Sequence, residues 1–445
     1  MSNSATLPTA EQYVTNIIDG GKVSRVQILV IVLCTLCNMV DGFDITTMSI
    51  VAKSVSTDLG LTPDKLGYIF SFALAGMMVG SIALAPISDL IGRRKTMLIS
   101  MLLVSVSVYL TSFATDLTTF IALRFISGIG AGAVVACVAT LASEYSHERY
   151  KALAVGLVTA GYPLGAMMTS VVGGEIMPDH GWQGMFVFGG GATLFFAVMI
   201  WFFVPESLKF LLDAKPKGAL DDANKILSSM GRSKLDELPQ LAEEVIENKR
   251  GLIANVALLL RPEYRRTTLL LWASLFLSFV ALYVLFSWIP KLVEDAGYGA
   301  ATGRDAFFWF NMGGVIGIVG LGALNAKFKL SQLMLVTLMA AAIAMALFDL
   351  STHNLTLMML TIFAIGVLQQ GGFVGLYSAA AIAYPTRVRS TGLGLGIGLG
   401  RLGAVAGPII AGYLIAGGMG MAGIFYTFAV PLAISAILAW LLRIH

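Results

Sequence analysis

Residues 25–51 read RVQILVIVLCTLCNMVDGFDITTMSIV, and two properties of this stretch decide the fold class. As a helix rising 1.5 Å per residue, it is long enough to cross the ~30 Å hydrocarbon core of a bilayer. It also carries two carboxylates near its middle, Asp41 and Asp44, three residues apart and therefore on one helical face. A charge at the bilayer centre costs roughly 2.5–3.5 kcal/mol even on the lenient insertion scale, so an ionisable group there marks a functional site by default. Asn38, Ile45 and Met48 share that face, giving a polar stripe that belongs against other helices or a cavity.

Apolar runs of similar length recur outward from this one, at 64–87, 96–115, 118–142, 151–173, 184–205, 266–290, 306–326, 331–349, 355–383, 390–414 and 422–442. A hydrophobic fraction of 57% with only 12% charged residues fits no soluble globular class. The expected fold is all-α and integral to the membrane. Twelve transmembrane helices form two pseudo-symmetric six-helix bundles, 25–205 and 266–445, after a tail at 1–24 and around a central loop at 206–265. Within that loop, 217–230 and 236–250 mix acids and bases at helical spacing and predict solvated amphipathic helices. The first 24 residues are polar and no small-residue cleavage site follows an apolar core, so the first helix is expected to be retained.

Charge sets the orientation. Outside the long loop, twelve Lys and Arg residues fall on the side of the chain ends, among them Arg93, Arg94, Lys95, Arg149, Lys151, Arg387 and Arg389. Only Lys53, Lys65, Lys291 and Arg304 fall on the other, so both termini and the central loop are expected in the cytoplasm. The net charge of +3 then reflects topology, and no nucleic-acid partner is implied. Cys34-x-x-Cys37 and Cys137 lie inside apolar runs, where small apolar packing is the favoured reading. The four histidines lie in loops or at the terminus, which leaves no metal site and no His-based triad. There is no phosphate-binding Gly-x-x-x-x-Gly-Lys-Ser/Thr loop and no nucleophile–base constellation, so neither an ATP-driven pump nor an enzyme is expected.

The halves echo each other. Gly156, Gly165 and Gly174 follow Lys151 at the offsets at which Gly394, Gly403 and Gly412 follow Arg389. In that register Arg401 stands opposite Pro163.

Three motifs carry a family resemblance. Asp89-Leu-Ile-Gly92-Arg93-Arg94-Lys95 resembles the signature loop of the major facilitator superfamily, although Ala85 replaces the usual Gly and Leu90 the usual base. Arg124-x-x-x-Gly128-x-Gly130-x-Gly132 resembles that superfamily's fourth-helix motif, and Pro205-Glu206-Ser207 a signature of its sugar and organic-acid branches. The second-half loop, Asn325-Ala-Lys327-Phe-Lys329, has lost its acid. Asp41-Gly42-Phe43-Asp44, the Tyr384–Gly392 segment and Gly400-Arg401-x-Gly403 resemble the aromatic acid:proton symporters over nearly the whole chain.

That resemblance implies a monomeric, multi-pass carrier in the bacterial cell inner membrane. It would import a small organic anion, such as a hydroxybenzoate, with protons by alternating access, using the proton gradient and no cofactor. Asp41 and Asp44 are the proton-coupling candidates; a static pair with Arg124 or Arg401 is the alternative. Guanidinium suits bidentate carboxylate binding, which makes Arg401 the favoured anion anchor. Arg124 either binds substrate or sets the charge of the aspartates. Asn38, Tyr283, Asn311, Gln369, Gln370, Phe373 and Tyr377 are candidate pocket residues, joined by Phe286 and by Trp288, whose alternative is an interfacial belt position. Asp89, Gly92 and Arg93 are expected to latch the cytoplasmic side, with Asp89 capping or opposing a neighbouring helix end. Glu144 and Arg387 are further gating candidates, Glu144 pairing with Arg149 or Arg387. A carrier of another organic anion or of sugar, and a membrane sensor of aromatic acids, are the rival readings.

Overall fold

The structure, a computed structural model, describes residues 9–84, 87–239, 252–325, 327–384 and 386–442, with the side chains of 152, 252–255 and 386–391 excepted. Helix α1, Arg25–Asp58, opens on a capping box: Gln27 N–H donates to Ser24 Oγ, and Ser24 N–H to Gln27 Oε1. It is followed by α2, Pro63–Ala83, α3, Arg93–Thr111, and α4, Leu117–Tyr145. Asp116 caps α4 by accepting from the N–H and the hydroxyl of Thr119, contacts that hold its carboxyl below the usual carboxylate range.

Lys151–Phe203 is one helical run bent at Gly181, where φ is 62° and ψ −167°. The arm before Gly181 is α5 and the arm after it α6. The sequence predicts a loop from 174 to 183; the helix instead continues to the one residue type that adopts this backbone without strain. The second half contains α7, Pro262–Val293, α8, Ala300–Leu324, α9, Leu330–Ala346, α10, Leu355–Ile382, α11, Thr386–Ala416, and α12, Met421–Trp440. Ten of these runs are long and apolar enough to cross a membrane; the bent one supplies two crossings and the 17-residue α9 is the shortest, giving twelve.

Shorter helices lie outside the spans. Ala10–Asp19 forms within the expected polar tail, and Ala219–Ser229 fills the first of the two predicted loop helices. The second, 236–250, lies mostly outside the described residues.

Glycine explains how the bundles close. Lipid offers no hydrophobic drive between helices, so close backbone approach and its van der Waals contact must supply the association. A Cβ on Gly76 or Gly80 of α2 would stand 2.1 or 1.9 Å from the carbonyl oxygens of Phe125 and Ile129 on α4. Gly128 and Gly132 press back equally closely on Ala73 and Met77. Gly313 and Gly317 seat α8 on α10 in the same way, while Gly161 and Gly165 seat α5 on α1, and Gly403 and Gly407 seat α11 on α7. The halves meet through α2 with α11, α5 with α8 and α1 with α7.

Candidate functional site

The two aspartates of α1 have different surroundings. Asp44 is buried, and Arg124 of α4 donates Nη1 to its Oδ1 at 2.7 Å and Nη2 to its backbone carbonyl at 3.0 Å. Arg124 is itself fully buried with its guanidinium 5.8 Å from the Phe186 ring. Both terminal nitrogens of its fork are thus occupied by Asp44, and Nε is left unpartnered. Asp41, one turn away and also buried, has no ion-pair partner among the described residues; the Oδ2 atoms of both aspartates are unpartnered, so the ion pair is what distinguishes them. Gly42 between them lets α1 press on the Tyr162 carbonyl of α5, which puts Tyr162 beside the acids.

Arg401 projects from α11 next to Gly400, where the missing Cβ admits the Phe279 ring. It makes no hydrogen bond or ion pair with another described side chain, yet its charge acts on Asp41, Tyr162, Tyr283 and Tyr377. Asp41 and Arg401, from opposite halves of the chain, are therefore near enough for their charges to interact.

Aromatic rings of α5, α7 and α10 cluster beside these charges. Phe279 lies 5.8 Å from Tyr283 and nearly parallel to it, and 4.8 Å edge-on from Phe373, which in turn contacts Tyr377 at 5.2 Å. Phe286 extends the cluster to Tyr283 and, across the halves, to Tyr162, each at 5.9 Å. Phe279 and Tyr162 were not among the sequence candidates; Phe279 lies one turn before Tyr283, and that spacing is the only signal for it. Trp288 is fully buried, donates Nε1–H to the Pro408 carbonyl at 3.2 Å and meets Phe70 edge-on, so it is an inter-helix packing residue, not a belt residue.

The amide candidates divide. Asn38 donates to the Val158 carbonyl at 2.6 Å, Asn311 to the Phe307 carbonyl at 2.9 Å, and Gln370 to the Phe310 carbonyl at 3.4 Å, so each serves packing with one end. Gln369, fully buried, leaves both Oε1 and Nε2 unpartnered.

A second cluster sits at the face of the bundle that carries the chain ends. Arg93 reaches Asp89 at 2.7 Å, Glu144 at 3.5 Å and the Ser88 carbonyl at 3.1 Å. The Asp89 side chain is 66% exposed, so that pair contributes at most about 1 kcal/mol, whereas Glu144 and Arg93 are both nearly buried. The acid at the positive end of α3 is Glu206, not Asp89: its Oε1 accepts from Arg94 N–H at 3.0 Å and Ser207 N–H at 2.9 Å. Gly92, at φ 103°, leaves room for the Glu206 carboxylate, which would stand 2.3 Å from a Cβ there. Tyr145 donates its hydroxyl to the Glu206 carbonyl, and Gln27 donates to the Tyr145 carbonyl, tying α1, α4 and the α6 exit together. Glu144 pairs with Arg93 and not with Arg149; the Arg387 side chain lies outside the described residues.

Comparison with known proteins identifies the family. The chain is 31% identical to the 4-hydroxybenzoate transporter PcaK of Acinetobacter baylyi over 427 residues, 95% of this chain and 92% of that one. It is 27% identical to the gallate transporter of Pseudomonas putida, over 96% of this chain and 94% of the relative. The inward-open xylose transporter XylE of E. coli shares the fold with a TM-score of 0.73 at 16% identity, over 94% and 96% of the two chains. The Major Facilitator Superfamily model matches residues 34–346, and the chain belongs to that superfamily of membrane transporters.

Proposed function

We propose that this transporter carries a small aromatic carboxylate together with a proton, in a bacterial inner membrane with both termini and the central loop in the cytoplasm. The observation that carries the reading is the unequal treatment of the two acids. Arg124 neutralises Asp44, whereas Asp41 feels the charge of Arg401, beside a cluster of aromatic rings, with no ion pair formed. An unpaired charge in a low-dielectric site is costly, and a proton or a counter-charge removes that cost. In the empty carrier Arg401 supplies the counter-charge to Asp41. When a substrate carboxylate takes the Arg401 fork, Asp41 loses that compensation and a proton replaces it. Empty and loaded carriers are then both neutral at the centre, and neither partner crosses alone. The substrates for which the relatives are named, 4-hydroxybenzoate, benzoate and gallate, are aromatic carboxylates and support the same class.

A monoanion carried with one proton moves no net charge, whereas a second proton would add about 2.3 kcal/mol of drive per 100 mV. The test is uptake of labelled 4-hydroxybenzoate by the protein in proteoliposomes with an acid exterior. Accumulation that a proton ionophore abolishes, with no substrate-evoked current, is the expected result. Uptake indifferent to the proton gradient would refute the coupling, and an inward current would refute the one-proton stoichiometry.

A further inference from the structure

The buried amide of Gln369 is left over after the proposed mechanism is assembled. It lies at the middle of α10, one turn before Phe373 and two before Tyr377, with no partner for either end of its amide among the described residues. Its neighbours on α10 are otherwise committed. Gly366, Gln370 and Gly371 face α8, and Gly372 and Gly375 face α9. Gln369 stands instead on the side of Phe373 and Tyr377, whose rings meet Phe279 of α7. A buried amide without hydrogen bonds forfeits its hydration with nothing in return, and nearly all buried polar groups in proteins are partnered.

We infer that Gln369 receives a ring hydroxyl at the end of the substrate remote from its carboxylate, so that the transporter selects hydroxylated aromatic acids over unsubstituted ones. This rests on the assignment of Arg401 as carboxylate anchor. Tyr377 stands within the field of Arg401, and two turns of α10, roughly 12 Å along its axis, separate Tyr377 from Gln369. A benzoate ring seated against Phe373 and Phe279 lies between these levels. Its carboxylate points to Arg401, and a para or meta hydroxyl points to the amide. The chemistry matches in both directions: a phenol O–H donates to Oε1 while its oxygen accepts from Nε2–H. A site that leaves a buried polar pair unmet when the hydroxyl is missing discriminates far more strongly than one that accommodates a difference in size.

The experiment compares 4-hydroxybenzoate, benzoate, 4-methylbenzoate and 2-hydroxybenzoate as substrates of the reconstituted full chain. Wild type should favour 4-hydroxybenzoate over the other three by about tenfold or more in kcat/KM. The methyl compound controls for size and the ortho compound for hydroxyl position. Gln369→Leu should remove that preference, lowering 4-hydroxybenzoate transport about tenfold or more while benzoate changes by less than about threefold. Equal transport of 4-methylbenzoate and 4-hydroxybenzoate by wild type would overturn the inference without using any variant. Equal losses on both substrates in Gln369→Leu, with proton-driven benzoate uptake intact in wild type, would overturn it and leave the carrier function standing. Failure of wild type to move any of the four acids would refute the carrier function and this inference together.

Discussion

The two halves of the molecule are assembled by the same helix crossings and differ in what those crossings enclose. Gly76 and Gly80 meet the carbonyls of Phe125 and Ile129; their counterparts Gly313 and Gly317 meet those of Phe363 and Val367. Gly165 meets Met39, and Gly403 meets Phe276. The shift that carries Gly76 to Gly313 carries Asp41 to Ser278 and Asp44 to Ala281. The shift that carries Phe125 to Phe363 carries Arg124 to Ile362 and Pro163 to Arg401. The first half therefore holds two acids and a base where the second holds none, and the second adds a single base where the first has proline. Backbone packing is shared because close glycine approach is the general solution for helices in lipid. The charges are not shared, and under the proposed function their asymmetry makes a site between the halves instead of one within each.

The largest effect should come from making the first half resemble the second one residue at a time. Arg124→Ile strands Asp44, and Asp44→Ala strands Arg124; each should cost about 3–5 kcal/mol, because each leaves a buried charge uncompensated. The double variant, which carries the residues found in the second half, should recover most of that loss and retain proton-dependent uptake. Thermal unfolding of the purified variants in detergent, read as a double-mutant cycle, measures the recovery. Additive losses would mean that the ion pair is not a self-contained unit.

Arg401 tests the opposite insertion. Arg401→Lys keeps the charge but loses the planar fork, so it should raise KM for 4-hydroxybenzoate about 10–100-fold, the equivalent of roughly 1.5–3 kcal/mol. Competition in proteoliposomes reads this directly, and an unchanged KM would remove Arg401 as the anchor. Asp41→Asn should have a smaller energetic signature and a clear functional one. Asp41 forms no ion pair at contact distance, so the variant breaks no packed salt bridge and should insert and unfold nearly like wild type, although it leaves Arg401 without its counter-charge in the empty carrier. One pH unit of gradient corresponds to about 1.4 kcal/mol, or tenfold accumulation by a one-proton carrier. That accumulation should fall to simple equilibration in the variant. Undiminished uphill uptake would break the assignment of the proton to Asp41.

Much of this is legible in the chain, and the remainder has identifiable causes. The twelve crossings follow from apolar run length, which the bilayer thickness makes decisive. The loop expected at 174–183 is helical up to Gly181: Pro178, as a helix breaker, and the polar Asp179 and His180 read as a loop, while the backbone stays helical through them. The choice between Asp41 and Asp44 depended on a guanidinium 80 residues away, and no local pattern records that contact. Gln369 and Gln370 are neighbours of identical type. Only the direction of α8, set by Gly313, Gly314 and Gly317, shows that one amide serves packing and the other does not. Glu206 was visible as part of a motif, but its place at the start of α3 depends on where α6 ends.

The smallest predicted effect concerns the seam where the halves touch. At the face opposite the chain ends, Gly67 approaches the Pro408 carbonyl, Gly412 approaches that of Pro63, and Tyr68 and Tyr413 join their hydroxyls at 2.9 Å. Lys53 of α1 reaches Glu294 at 3.7 Å and Asp295 at 3.4 Å beyond the end of α7. These contacts cross between the halves, so under the proposed transport by alternating access they must separate when this face opens. The Tyr68–Tyr413 bond is exposed, and replacing either residue by Phe removes one hydrogen bond without opening a cavity. About 0.5–1.5 kcal/mol is expected, a shift of roughly 2–12-fold in the equilibrium between the two faces. Spin labels placed on the far-face ends of α2 and α11 would register it as a larger fraction of long distances in Tyr413→Phe. The backbone approach of Gly67 to Pro408 remains in that variant and should keep the closed state populated. Gly67→Ala, whose Cβ would stand 2.7 Å from that carbonyl, should therefore shift the distances further than Tyr413→Phe. The reverse order would place the weight of the closed face on the hydroxyl pair and not on the helix crossing.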